Sequence, residues 1–427
     1  MQKTLLILLL FIISTISIAQ DKEDDKKDDK KKKEKTYSEI IDDSYKTDEG
    51  LFKVHSKKDK FLYEISSDLL GKEMLMVTRI AKTANGIGYG GQKINSQVLR
   101  WQKKHDKILL RIVSYENVAS DTLPISKSVK NSNFEPVLYS FDIKTYNPSD
   151  SSVVIDVAPL FKTDVKALGF PQYRRKSLKI TSLDKKRSFI ESIKSFPINI
   201  EARSVMTYNS SEPPSLRNSQ TISLEINNSM LLLPENKMQP RFRDQRVGFF
   251  SQSQIDYGLD EQKAKSTTYI RKWKLVPKDI KAYNRGELVE PIKPIIYYID
   301  PSTPEKWRKY LKQGVDDWQV AFEAAGFKNA IIGKYPPTKE EDPDWTPEDA
   351  RYSVMRYYAS DIQNAYGPHT ADPRTGEILE SDIGWYHNVM NLLRNWYMIQ
   401  TAAVNETSRD VKFDDEVMGQ LIRFVSA

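Results

Sequence analysis

From Tyr37 to about Ser266 the chain alternates apolar and polar side chains in short runs between polar turns, the pattern of half-buried strands. Phe61 to Ile65, Met74 to Ile80, Gln97 to Trp101 and Ile108 to Val113 read this way. So do Tyr139 to Tyr146 and Ser152 to Val157, which flank the turn sequence Asn147-Pro148-Ser149-Asp150. Leu183 to Phe196 departs from the alternation: apolar residues at 183, 189, 190, 193 and 196 predict a short amphipathic helix that Pro197 stops. Strands resume at Ile198 to Tyr208, Thr221 to Ile226 and Met230 to Leu233.

After about Tyr269 the pattern changes. Ile295 to Ile299 is a continuous apolar run, as in a strand covered on both faces. Thr303 as cap and Pro304 at the first position open a long helix with a stripe of Trp307, Leu311, Val315, Trp318 and Phe322, and Gly326 is its stop. Both tryptophans are expected in the core. Ala330 to Tyr335 then completes a β-α-β unit with a parallel pair. Pro336 to Asp349 is an acidic, proline-rich surface loop, and Tyr352 to Tyr358 is a strand. Asp372-Pro373-Arg374-Thr375-Gly376 fits a tight hairpin, left by a strand from Glu377 to Trp385 and followed by a helix from His387 to Gln400. A last helix starts at Asp414, with Asp415 and Glu416 at its positive end and a stripe of Val417, Leu421, Phe424 and Val425. Ser426 and Ala427 provide no stop signal, so this helix is expected to be cut by the boundary of the chain.

These elements predict an α+β protein: an antiparallel β-rich region, then a β-α-β plus hairpin unit. Expected boundaries are a signal peptide at 1–19, a charged linker at 20–36, a small β domain at 37–85, a β-rich accessory domain at 86–270 and a further unit at 271–427. Lys3, the apolar run Leu5 to Ile13 and the small residues Ser17-Ile18-Ala19 form an export signal, which places the protein in the periplasm, on the cell surface or outside the cell. Asp21 to Lys35 has blocks of both signs without an apolar residue, so it buries nothing. The absence of cysteine excludes a disulfide framework, a thiol nucleophile, a thiolate metal site and a lipid-anchored cysteine. The net charge of +7 comes from 65 basic and 58 acidic residues spread along the chain, so no nucleic-acid partner is expected.

Candidate chemistry is sparse. Gly86-Ile87-Gly88-Tyr89-Gly90-Gly91 has the spacing of a dinucleotide loop, but strands follow where a helix must begin, and the reading is a loop or hairpin. Four histidines are present, His55, His105, His369 and His387, with no pair at the i, i+4 spacing of a helical zinc site. None is expected to bind metal, and no residue is assigned a catalytic role.

The blocks GIGYGGQKINSQVLRW, KPIIYYIDPSTPEKWRKYLKQGVDDWQVAFEAAGFKNAII, DPRTGEILESDIGWYHNVMNLLRNWY and DDEVMGQLIRFVSA closely resemble a family of secreted bacterial zinc-dependent metalloproteases, in which domains of unknown function precede a metzincin-like catalytic domain. The resemblance implies that 271–427 is the first half of a zincin-like domain and that zinc is the cofactor of the full-length protein. It also implies a protein or peptide substrate and an H-E-x-x-H motif directly after Ala427. That motif is absent from this sequence, so the chain as given is expected to be inactive by itself. In zincins an edge strand before the active-site helix pairs with extended substrate, which by position implies Glu377, Ile378, Leu379, Glu380, Ser381, Asp382, Ile383 and Gly384. The alternative is a non-catalytic secreted β-rich protein that binds peptide or a surface polymer.

Overall fold

A computed structural model describes residues 35–261 and 263–427; the expected signal segment and nearly all of the expected charged linker lie outside them. In chain order the first region runs through β1 (Lys46–Asp48), β2 (Lys53–Lys57), β3 (Lys60–Ile65), β4 (Glu73–Lys82), β5 (Lys93–Lys104), β6 (Lys107–Val113) and β7 (Asn117–Val118). It continues with β8 (Val137–Tyr146), β9 (Val153–Asp156), β10 (Ile180–Leu183), β11 (Phe189–Ser195), β12 (Asn199–Ser210) and β13 (Thr221–Leu232). All but β7 join one antiparallel sheet ordered β1-β2-β3-β9-β8-β6-β5-β4-β13-β12-β10, with β11 also on β12. The sheet rolls until its ends meet: Leu51 N–H donates to Phe196 O, and Ser195 Oγ donates to Phe52 O, both at 2.7 Å. Alternation then has a simple consequence. One set of side chains, including Phe52, Tyr63, Trp101, Phe141, Ile193 and Met230, fills a single interior. The expected boundary at 85/86 passes through this sheet, since β4 and β5 on either side of it are paired neighbours.

Two expectations for this region fail. Leu183 to Phe196 is not a helix but the end of β10, a turn at Asp184, and β11. The register of β11 on β12 shifts between Ile190 and Ser192, so the extra residue Glu191 lets Ile190 and Ile193 face inward at a spacing of three. A β-bulge thus imitated helical periodicity. Thr221 to Leu232 is one strand instead of two, because Asn227 and Asn228 are paired within the protein: Asn227 Nδ2 donates to Glu201 Oε2 at 2.6 Å, and Asn228 Oδ1 accepts from Thr78 Oγ1 at 2.8 Å.

The second region contains β14 (Ser251–Asp256), β15 (Lys265–Ile270), β16 (Ile295–Ile299), β17 (Ile331–Lys334), β18 (Ser353–Tyr358) and β19 (Ala365–Tyr366). Then follow β20 (Thr370–Ala371), β21 (Ile378–Glu380) and β22 (Ile383–Tyr386). A five-stranded sheet has the order β17-β16-β18-β22-β19, parallel throughout except for β19, which runs antiparallel along β22. β14, β15 and β7 make a small separate sheet. On the mixed sheet lie the helices Glu305–Asp316, Val389–Thr401 and Asp415–Ser426, with Ile299, Trp307, Leu311, Met355, Trp385 and Ile422 in one core. The molecule is therefore mixed α+β with a dominant antiparallel sheet.

The expected long helix from Thr303 to Gly326 is two, Glu305–Asp316 and Gln319–Ala324, and Thr303 makes no side-chain cap. At the break Asp316 Oδ1 accepts from Gly333 N–H at 2.8 Å and Gln319 Oε1 from Ala330 N–H at 3.0 Å, so side chains at the helix ends tie down the next strand. Trp318 falls at this break and stands 48% exposed, against the expectation of a core position, while Trp307 is buried as expected. In the last helix Asp414 caps as expected, accepting from Val417 N–H at 2.8 Å. Its buried residues are Gly419 and Ile422, and Phe424 is exposed. The strand expected from Glu377 to Trp385 is interrupted at Ser381 and Asp382.

Candidate functional site

The segment 377–384, expected as the edge that pairs with substrate, divides between β21 and β22. Ile378 N–H donates to Lys272 O at 2.9 Å, Lys272 N–H donates to Gly376 O at 3.0 Å, and β21 pairs with β20 on its other side. Ile383 and Gly384 lie in β22, flanked by β18 and β19. The backbone is thus paired on both sides at Ile378 and within β22, which a hairpin pattern alone does not reveal.

The polar side chains of this segment hold it in place. Glu377 is buried, and burial raises its carboxyl above the ordinary range. Glu380, raised by the same cause, accepts from Arg79 Nη2 of the roll at 3.1 Å. Ser381 N–H donates to Ser353 Oγ at 3.1 Å and its Oγ donates to Pro368 O at 3.0 Å. Asp382 accepts from Val354 N–H at 3.1 Å and from Arg356 Nε at 2.9 Å. The turn before it is docked too: Arg374 Nη1 reaches Glu73 at 3.3 Å, and Gln252 Nε2 donates to Asp372 O at 3.0 Å.

The mixed sheet has two edges, β17 and β19, and β19 is the one beside the glycine-rich loop. Ala365 and Tyr366 pair with β22 on one side only, which leaves their other side as the place where an extended chain could add. Tyrosines gather beside it. Tyr89 stacks edge-on against Tyr386, ring centres 5.0 Å apart, and against Tyr366 at 6.5 Å; Tyr358 lies 5.9 Å from Tyr386. Burial pushes the Tyr358 phenol up to about 12, so it remains a neutral donor.

Tyr89 belongs to the glycine-rich stretch 86–91, which is a hairpin loop as expected. Gly91 N–H donates to Ile80 O at 2.7 Å, and Arg174 Nη2 donates to Ile87 O at 3.0 Å. Gly91 has φ 83°, and a Cβ there would run into the Tyr358 ring, so the glycine lets the roll's loop lie directly on the mixed sheet. Alternation and spacing gave no hint of this; a loop tyrosine between glycines was the available signal.

The histidines are engaged elsewhere. His55 is buried between Thr47 Oγ1 at 2.8 Å and Glu64 Oε2 at 3.1 Å. His387 is exposed, with Nδ1 2.8 Å from Tyr357 Oη. His369 sits beside Arg271, and burial together with the charges of Arg271 and Lys93 pushes its pKa down to about 4. Among the described residues no group of three or more histidine, aspartate or glutamate side chains is arranged to hold a metal.

Residues 91–278 match the family described as domain of unknown function DUF5117, and residues 34–83 match DUF5118. The two matches meet across the Tyr89 loop and together cover most of the rolled sheet. No curated protein and no solved structure matches the chain. Among the described residues no helix is long and apolar enough to cross a membrane.

Proposed function

We propose that this chain is the amino-terminal portion of a secreted zinc-dependent metalloprotease, an accessory β roll joined to the first half of a zincin-like unit. The observation that carries the reading is the five-stranded sheet whose single antiparallel strand, β19, lies at its edge beside the tyrosine cluster. The chain order of strand, helix, strand, strand, hairpin, strand and helices agrees with it, as does the close resemblance of 271–427 to that family. The export signal read from Lys3 to Ala19 makes the protein periplasmic, surface-bound or extracellular. In this reading β19 receives an extended protein substrate as an added strand, with Tyr89 and Tyr366 as its wall. Zinc and its ligands come from outside residues 1–427, and no step of hydrolysis is assigned to a residue of this chain.

The test is the coding sequence beyond codon 427. An open frame continuing into H-E-x-x-H is the expected result. A stop codon there overturns the protease and favours a non-catalytic binder of peptide or surface polymer. The exposed rings of Phe242, Phe249 and Phe250 on the small sheet's side support that second reading.

A further inference from the structure

A cavity of about 540 Å³ opens between the roll, the small β14-β15 sheet and the hairpin at β20. Lys93 and Ser96 enter it from β5, Gln252 and Gln254 from β14, Arg271 from the end of β15, and His369 from the approach to β20. Its size is that of a small-molecule pocket.

The charges in it are one-sided. Arg271 Nη1 lies 3.4 Å from His369 Nε2, and Arg271 Nε is buried with no hydrogen-bond partner among the described residues. Neither Arg271 nor Lys93 forms an ion pair among the described residues, although many other cations of the chain do. Glu380, whose charge reaches Lys93, is already held by Arg79. The one carboxylate in the lining, Glu116, is exposed. Burial and the charges of Arg271 and Lys93 drive His369 down to about 4, burial lowers Arg271, and Lys93, exposed like Glu116, is lowered by desolvation and by the charges of Arg79 and Arg271. A buried guanidinium N–H without an acceptor is costly, and a planar fork beside an ammonium is the arrangement that recognises an oxyanion.

We propose that this pocket binds an oxyanion, a carboxylate, sulfate or phosphate group carried on a ligand of small-molecule size. Arg271 supplies its guanidinium and Lys93 a point charge, while His369, at 3.4 Å from Arg271, reports on the site. The inference is independent of the protease reading and involves none of the residues at β19.

Isothermal titration of the full chain with sodium sulfate, sodium phosphate and sodium acetate, each in chloride buffer, tests it. Saturable binding is expected for at least one probe. A preference for sulfate or phosphate identifies a tetrahedral anion, and a preference for acetate identifies a carboxylate. Arg271→Gln should weaken binding by roughly tenfold or more, with Arg271→Lys in between. In the unaltered protein the His369 ring resonances should move on titration while those of His55, His105 and His387 do not. This second readout does not depend on a variant folding. No saturable binding of any probe, unchanged affinity in an Arg271→Gln variant that melts like the parent, or a His369 signal that stays still at saturation would overturn the proposal.

Discussion

Glu201 lies on β12, almost fully buried, with Oε1 accepting from Asn199 Nδ2 at 2.7 Å and Oε2 from Asn227 Nδ2 at 2.6 Å. Burial outweighs these donors and raises the carboxyl from an ordinary 4.5 to about 7. The unfolded chain therefore loses this proton near pH 4.5 and the folded protein only near pH 7. Between those values folding takes up a proton, so the group's contribution falls as pH rises and is fully lost above about 7. The difference is worth about 3 kcal/mol. Glu201→Gln removes the titration, and Asn227 Oδ1, buried without a partner, can accept from the new amide if the Asn227 side chain flips. Urea unfolding of both proteins at pH 4 and pH 8 should show the variant gaining up to about 3 kcal/mol on the parent between the two. A constant difference would show that Glu201 ionises normally.

At the scale of elements, the last helix rests on Glu305–Asp316 through two glycines that hydrophobic periodicity did not single out. A Cβ on Gly419 would overlap the Tyr310 ring, and a Cβ on Gly314 would overlap Ser426 and lie 2.7 Å from Arg423 O. Around this contact Tyr310 Oη donates to Glu416 at 2.6 Å, and Arg423 Nε donates to Asp317 at 2.7 Å. Gly419→Ala should destabilise the helix pair by about 1–3 kcal/mol, because the Tyr310 ring packed on the glycine must move to admit one methyl group. Amide exchange should show faster opening of Asp415–Ser426 and unchanged protection in the rolled sheet. Loss of protection everywhere would mean that the two regions unfold as one unit.

At the scale of the whole molecule, the roll and the mixed sheet are joined by polar pairs as well as by apolar contacts at Tyr89 and Leu379. Arg79 reaches Glu380, Arg374 reaches Glu73, Arg203 reaches Glu348, and Asn199 Oδ1 accepts from Ala350 N–H at 3.0 Å. Arg79, Glu380, Arg203 and Glu348 line a cavity of about 150 Å³ between the two regions. Arg79→Met leaves the Glu380 carboxylate buried beside Asp382 without its cation and should cost about 3–5 kcal/mol. Arg79→Met combined with Glu380→Met should recover much of that loss, which chemical unfolding of the two single variants and the double variant measures. Additive losses would mean that the pair contributes nothing to docking.

Periodicity of two was sufficient to place most strands of the roll, since one face of each must be buried, and a continuous apolar run marked β16 as a strand of the mixed sheet. Turn and cap chemistry marked Asn147, Gly376 and Asp414 because those effects are local. The bulge at Glu191 defeated the same reasoning by shifting the phase of an otherwise alternating strand. Strand order lay outside local pattern altogether, and with it the placement of β19 at one edge of the mixed sheet and of Ile383 and Gly384 inside it. The tyrosine cluster, the Arg79–Glu380 pair and the Arg271–His369 pocket were equally out of reach. Residues 301 and 98 positions apart meet in the last two, and only the folded backbone brings such distant charges to one place.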